Sequence, residues 1–498
     1  MSATPAMDAL EDRFRRLSAL AGAEGVLGWD QRVVMPKGGA EARAEQLATL
    51  SVLHHEILTA PAVAEALDAA STEPLDGWRA ANLLEMRRRH AHATAVSAGL
   101  VEALSRAGSR CEALWREARA KADFGIVRAA LTEQVRLVRE EAAAKADALA
   151  TTPYEALLDG YEPGGSIARI EALFAELEGD LPPLLEAVLE RQESREPATA
   201  PSGPFPVAAQ RTLAQRVMTT LGFDFNHGRL DETLHPFCGG VPDDVRITTR
   251  YDEAGFVSGI MGVIHETGHA LYERGLPGDW RHQPVGEARG MVMHESQSLL
   301  MEMQACRSPA FLGLLSGWAR EAFASDGQAW DPENLHRVYT RVERSFIRVE
   351  ADEITYPLHV ILRTRLERAL LSGDLDVAEL PAEWNAGMRD LLGVTPPNDA
   401  LGCLQDIHWY DRAIGYFPTY TLGAMAAAQL FQAAVAADPA IPEAIGRGDF
   451  APLLGWLGVH VHGRASSLGT EEILQAATGS TLSAGPFLAH LKARYLDA

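Results

Sequence analysis

Apolar residues recur at three- and four-residue intervals through most of this chain, the spacing that lines one face of an α-helix. From residue 8 to about 150 the chain is rich in Ala, Leu, Glu and Arg and poor in proline, a composition that favours long helices. Gly28-Trp29-Asp30-Gln31, ending at Met35-Pro36, is expected to interrupt the first helix pair. The helical period resumes over 41–58 and continues through 78–107 and 109–149. Residues 153–164 read as a turn-rich junction, after which Ser166 is placed to cap a helix running to about Ser194. Four prolines between Glu196 and Val207 mark a linker or surface loop, and a short helix over 208–221 follows.

The pattern changes between Phe223 and Phe256, where β-branched residues, prolines and glycines replace the Ala/Leu helices. Val245 to Thr249 alternates enough to be a strand. It is expected to form one wall of a cleft and to offer its edge to an extended substrate. Further on, 262–272 is helical, 276–286 reads as a loop, and 287 to about 306 is helical again. Residues 330 to about 371 read as helical, with a kink or break at Pro357. Gly415 to Ala437 carries no charge and is long enough to span a bilayer. Its proline, threonines, glutamines and many alanines make it a buried core helix instead.

Composition narrows the function classes. At 498 residues, with 47% hydrophobic and 23% charged positions, the chain has the make-up of a large globular protein. A net charge of −23 argues against a nucleic-acid partner and fits a cytoplasmic protein. Cys111, Cys238, Cys306 and Cys403 are scattered, which suits reduced thiols. The acidic and basic residues of Met1 to Leu20 do not suit a signal peptide.

The chemistry concentrates in Gly262-Val263-Ile264-His265-Glu266-Thr267-Gly268-His269, which contains HExxH. Positions i and i+4 share a helix face, so His265 and His269 can hold one metal ion, with Glu266 about 100° around the axis and in reach of water beside it. A catalytic zinc takes a third protein ligand. No histidine extends the motif, which leaves His282, Glu287, His294 and Glu295. Glu295, on a second helix returning antiparallel, completes a His₂Glu set. His282 reads as a surface or substrate-side residue and His294 as a partner behind the ligands.

Six motifs together carry a family resemblance: His235-Pro236-Phe237; Asp244-x-Arg246-x-Thr248; His265-Glu266-x-x-His269; His294-Glu295-Ser296-Gln297; Ile347-Arg348-x-x-Ala351-Asp352; and Gly402-x-x-Gln405-Asp406-x-His408-Trp409. Gly28-Trp29-Asp30-Gln31 and Tyr161-Glu162-Pro163-Gly164 match as well. In these residues the chain resembles the thermostable Thermus-type zinc carboxypeptidases of peptidase family M32, over nearly its whole length. The resemblance implies one mainly α zinc-peptidase domain over 1–498, with an N-terminal helical part to about 200 and the zinc site in 201–498. It also implies a deep substrate groove, a small β-sheet beside the zinc helix, and a homodimer. The implied activity is release of single residues from peptide C-termini, with broad preference and poor action at proline.

In that setting zinc held by His265, His269 and Glu295 activates water, with cobalt or manganese as possible substitutes. Glu266 serves as general base. His408 and Tyr420 are candidates to stabilise the oxyanion, with Tyr416 second to Tyr420. Arg348 is the first candidate to read the substrate's free carboxylate and Arg246 the competitor, unless Asp352 and Asp244 respectively pin them as ion pairs. Asp352 and Asp406 are candidates to orient the zinc imidazoles, and His235 to line the groove. Two other functions compete: a zinc oligopeptidase cutting internal bonds, and a metal-stabilised helical binding protein without turnover. The latter has no use for Glu266.

Overall fold

The computed structural model describes residues 3–233 and 236–497. The first helix, Pro5–Val33, runs unbroken through Gly28-Trp29-Asp30-Gln31, and the chain turns only at 34–36. The expected interruption is therefore displaced: nothing in the tetrapeptide breaks the helical ladder. With the helices Ala40–Thr59, Pro61–Ala70 and Gly77–Ala95, this segment closes a hydrophobic cluster of its own, including Met7, Phe14, Val63, Leu67 and Met86. A second, far larger cluster runs from Leu104 to Tyr495 and contains the remaining helices.

The expected helix break near residue 108 is also corrected. Helices span Ala98–Lys121 and Gly125–Leu149, because Ser97 caps the first by accepting from the Leu100 amide and Ala122 ends it in a left-handed conformation. Gly108 lies mid-helix, where a Cβ would come within 2.9 Å of Arg412 Nε. The helix Ile167–Glu193 begins where expected, but its first amide donates to Glu155 Oε1 at 3.0 Å rather than to Ser166.

Strands β1 (Gly228–Glu232), β2 (Cys238–Val241) and β3 (Asp244–Thr249) form one sheet in the order β1-β3-β2. β1 pairs parallel to β3 with Arg229 beside Arg246, and β2 pairs antiparallel with Cys238 beside Ile247. β3 is thus the central strand with both edges paired, so it cannot take an extended substrate as the sequence suggested. β1 and β2 are the two edge strands, and the first helix packs against β2.

The helix Val257–Gly275 packs against β3 and against Gly290–Leu299, which continues as a π-helical stretch, Leu300–Cys306. The buried helix Pro418–Ala437 packs against Gly290–Leu299 and its π-helical continuation. Two glycines set these approaches. A Cβ on Gly268 would meet Gln297 O at 2.5 Å, and one on Gly423 would meet Glu295 Cβ at 2.5 Å.

Residues 330–371 are not one helix. Pro332–Tyr339 and Tyr356–Ser372 are separated by an irregular stretch with a short 3₁₀ turn at Arg348–Glu350, and Pro357 sits in the first turn of the second helix, where its missing N–H costs nothing. No single helix among the described residues is long and apolar enough to cross a membrane.

Candidate metal centre and substrate groove

His265 and His269 project from one face of Val257–Gly275 toward Glu295 on the facing helix. Glu295 Oε2 lies 3.6 Å from His265 Nε2 and 3.7 Å from His269 Nε2. The three ligand atoms all fall within 4.8 Å of one another. Tetrahedral coordination with bonds of about 2.0–2.2 Å separates ligand atoms by about 3.4 Å. The donor set and its spacing fit a divalent ion. Glu295 is itself oriented, accepting from Ser298 Oγ at 3.2 Å.

Each imidazole has its own support. His265 Nδ1 lies 2.9 Å from Glu302 Oε2, and Arg307 NH2 donates to the other Glu302 oxygen at 2.5 Å. Beyond it, Arg307 and Arg494 both reach the fully buried Glu353, which also meets His490 Nε2 at 2.7 Å. His269 Nδ1 instead faces His294 Nδ1 at 2.6 Å, and His294 Nε2 faces Glu273 Oε1 at 2.8 Å. A metal held by both Nε2 atoms would leave His265 and His269 to donate from Nδ1, with His294 accepting at Nδ1 and donating to Glu273. Burial alone would lower the His265 pKa, but the hydrogen bond and charge of Glu302 outweigh it and raise it to about 9. His269 is driven well below its ordinary value by burial and by its neighbouring histidines. Burial pushes Glu266 up to about 7, with His265 opposing and Glu295 reinforcing the shift.

Beside the metal ligands an aromatic wall carries His408, Tyr416 and Tyr420. His408 Nε2 lies 3.2 Å from the Tyr420 hydroxyl, and its Nδ1 is buried without a hydrogen-bond partner. Tyr416 and Tyr420 are edge-on with ring centroids 5.0 Å apart. Burial lowers His408 to about 4 and raises both tyrosines, reinforced for both by Glu295, so all three are neutral at physiological pH.

Arg348 is buried behind that wall, its Cζ 4.9 Å from the Tyr420 ring centroid. Its Nε and NH2 donate to Asp406 Oδ1 at 3.1 and 2.8 Å, and its NH1 donates to the Tyr356 hydroxyl at 2.6 Å. Arg363 Nε takes the other oxygen of Asp406 at 2.6 Å. One carboxylate thus answers two buried guanidiniums, leaving a net positive charge. Asp406 is held far below the ordinary carboxylate range, since the two arginines outweigh its burial. The alternative Arg348–Asp352 pair does not form, because Asp352 accepts from the amides of Ile354 and Thr355. Arg246 does pair with Asp244, through Nε at 3.0 Å and NH2 at 2.5 Å, and lies over Trp29 at 4.6 Å.

A cleft of about 480 Å³ opens alongside, lined by His294, Glu273, Tyr161, Met291 and, from β2, Gly240 and Val241.

This geometry sits in a chain with clear relatives. The model of the carboxypeptidase Taq (M32) metallopeptidase family matches residues 9–495. The chain belongs to the M32 metallocarboxypeptidases. Thermostable carboxypeptidase 1 of Thermus thermophilus is 40% identical, and carboxypeptidase 1 of Bacillus subtilis 34%, each match covering 97% of both chains. Among solved structures, Trypanosoma cruzi metallocarboxypeptidase 1 superposes with a TM-score of 0.97 at 39% identity, covering 99% of this chain and 100% of that one. The M32 carboxypeptidase of Deinococcus radiodurans superposes with a TM-score of 0.92 at 35% identity, covering 99% of each. The chain is accordingly a metal-dependent peptidase of the carboxypeptidase class.

The family motifs divide into ligands and supports. Tyr161-Glu162-Pro163-Gly164 starts the Glu295 helix: Met291 N donates to Tyr161 O at 2.7 Å and Val292 N to Glu162 Oε2 at 3.0 Å. Thr248 accepts from the Phe237 amide at 2.9 Å, pinning the loop before β2. His235 lies outside the described residues. His282 is at the surface, 3.4 Å from Ser18 Oγ, as expected.

Of the partners the sequence offered for the ligand imidazoles, His294 does stand behind His269, while Asp352 and Asp406 lie elsewhere. Asp352 is a turn cap and Asp406 an arginine clamp, whereas Glu302 and the His294–Glu273 pair stand behind the ligands. Glu302 carried a usable signal, since it lies seven residues beyond Glu295, two helical turns on the same face. Tyr356, His359, Arg363 and Glu367 were also missed. The last three are fully buried and, with the half-buried Tyr356, form a polar stripe at helical spacing on Tyr356–Ser372, a pattern that a core helix rarely shows without purpose.

Proposed function

We propose that the chain releases single residues from free C-termini of peptides, with broad preference and poor action at proline, using zinc held by His265, His269 and Glu295. The observation that carries this reading is the convergence of that ligand set with Glu266 and, beyond the tyrosine wall, a buried pair of arginines sharing one aspartate. Zinc, or cobalt or manganese in its place, supplies Lewis acidity to water and to the scissile carbonyl. Glu266 takes the proton of the attacking water and delivers it to the leaving amine, and its raised pKa suits both tasks. The neutral Tyr420 and Tyr416 hydroxyls and the His408 imidazole act as hydrogen-bond donors to the developing oxyanion.

The positive excess of Arg348 and Arg363 over Asp406 attracts the substrate carboxylate. Because Asp406 holds the fork of Arg348, we assign its remaining N–H groups, rather than a bidentate clamp, to that contact. Arg246, bound by Asp244 and stacked on Trp29, shapes the strand side of the groove. An internal-cutting peptidase has no use for the arginine pair.

The test compares free-acid and C-terminally amidated versions of one peptide with wild type and Arg348→Gln. The proposal expects amidation to cost roughly 10²-fold or more in kcat/KM for wild type, since a buried ion pair is lost, and little in the variant. Equal turnover of acid and amide by wild type would sink the carboxylate reading and favour the oligopeptidase. We further assign a homodimer, on the family resemblance, and a cytoplasmic location, which the acidic surface and four unpaired cysteines support.

A further inference from the structure

Away from the metal centre, the end of the helix Ile167–Glu193, the loop after it, the helix Pro332–Tyr339 and the last turn of the chain enclose a pocket of about 360 Å³. Five arginines line it (Arg191, Arg195, Arg337, Arg341 and Arg494) with His336, against only two acids, Glu193 and Glu196. In a chain of net charge −23 this is a local reversal of sign.

The acids beside Arg341 and Arg494 offset those two charges only in part. Arg341 meets Glu343 at 3.1 Å, but both side chains are about two-thirds exposed, so solvent screens the pair. Arg494 shares Glu353 with Arg307 and His490, so that carboxylate is divided among three cations and donors. Arg337 Nε and Tyr495 Oη are buried without hydrogen-bond partners. Leaving such groups unanswered costs stability, and an oxyanion in the pocket adds a compensating charge beside the Arg337 guanidinium. The volume lies in the range of small-molecule sites. Val188, Pro197 and Ala198 add an apolar side next to Tyr495.

We propose that this pocket binds a small phosphomonoester, its phosphate among the guanidiniums of Arg337, Arg341 and Arg494 and its organic part against Val188, Pro197 and Tyr495. Three guanidiniums from two chain segments suit a dianion with three equivalent oxygens better than a planar carboxylate.

The test is calorimetric titration of the metal-loaded enzyme with phenyl phosphate at fixed ionic strength, with phenol as the uncharged control. Wild type should show one saturable event, absent with phenol and unchanged in Glu266→Gln. Binding should weaken roughly tenfold or more in the double variant Arg337→Gln/Arg341→Gln. Arg494 is left alone because it supports Glu353. Should the double variant unfold, the exposed Arg341→Gln alone provides the reading. No saturable binding, binding kept in the arginine variants, or binding lost in Glu266→Gln would each overturn the proposal, the last by locating the phosphate at the metal centre.

Discussion

His265 and His269 sit one turn apart on the same helix and face the same Glu295, yet what stands behind them differs. His265 gives its Nδ1 proton to a carboxylate, Glu302, which is held by Arg307 and, through Arg307, by Glu353. His269 gives its proton to another imidazole, His294, whose far nitrogen meets Glu273. A carboxylate accepts at any pH near neutrality, whereas an imidazole accepts only while neutral. One ligand is therefore anchored in a buried ion network and the other in a titratable relay. The HExxH spacing alone makes the two equivalent, and their difference arises from residues that lie 25 to 37 positions away in the chain.

The comparison can be broken most severely at Glu302. Glu302→Leu removes the acceptor of His265 and leaves Arg307 with half its buried partners. Expected losses are roughly 10- to 100-fold in metal affinity, read by competition with a chromogenic chelator, and roughly 3–5 kcal/mol in stability, read by denaturant unfolding. Wild-type metal affinity in this variant would contradict the assigned support.

Gly268→Ala strikes both imidazoles together, because its Cβ meets the Gln297 carbonyl and pushes the two ligand helices apart. Overpacking of this kind costs about 1–3 kcal/mol, and metal affinity should fall with it. An unchanged unfolding midpoint would mean that the helices tolerate the shift.

His294→Gln sharpens the contrast. The amide oxygen can still accept from His269 but cannot titrate, so metal affinity should drop by about tenfold at neutral pH, the low end for such partners. As pH falls, His294 in wild type gains a proton and loses the ability to accept from His269. Metal affinity of wild type should therefore decline first, and that of His294→Gln only at lower pH, in the same chelator competition run from pH 8 to 5. Parallel declines would remove the relay from the account.

The smallest effect concerns the base. Glu266 must be ionised to take a proton, so with its pKa pushed up to about 7 in the ion-free site, kcat/KM should fall as pH drops through an acid limb. A bound cation nearby shifts that limb downward. A limb that persists in the residual activity of Glu266→Gln would assign it to another group.

Much of this was legible in the sequence because it is local. The ligand helix, Glu295 two segments later, the strand at 244–249 and the buried helix after Gly415 all follow from short-range spacing. The errors have physical causes. Gly28 and Gly108 read as breaks, but neither is forced out of helical geometry, and the real boundaries are made by Val34–Pro36, Ser97 and Ala122. Pro357 read as a kink or break because the irregular stretch before it, held by Asp352 and Gln405, has no periodic signature. The centrality of β3 depends on a parallel partner seventeen positions earlier, and strand order is not written in any one strand. The partners of Arg348 were beyond reach for the same reason, since Asp406 joins it only through tertiary packing.

The most direct measurement is a mass-spectrometric time course on N-blocked peptides, comparing metal-loaded wild type, chelated protein and Glu266→Gln. The account predicts a ladder of single C-terminal losses that disappears on chelation and falls roughly 10²- to 10⁴-fold in Glu266→Gln, the range expected for a general base. Internal fragments, or a ladder undiminished by either treatment, would contradict it.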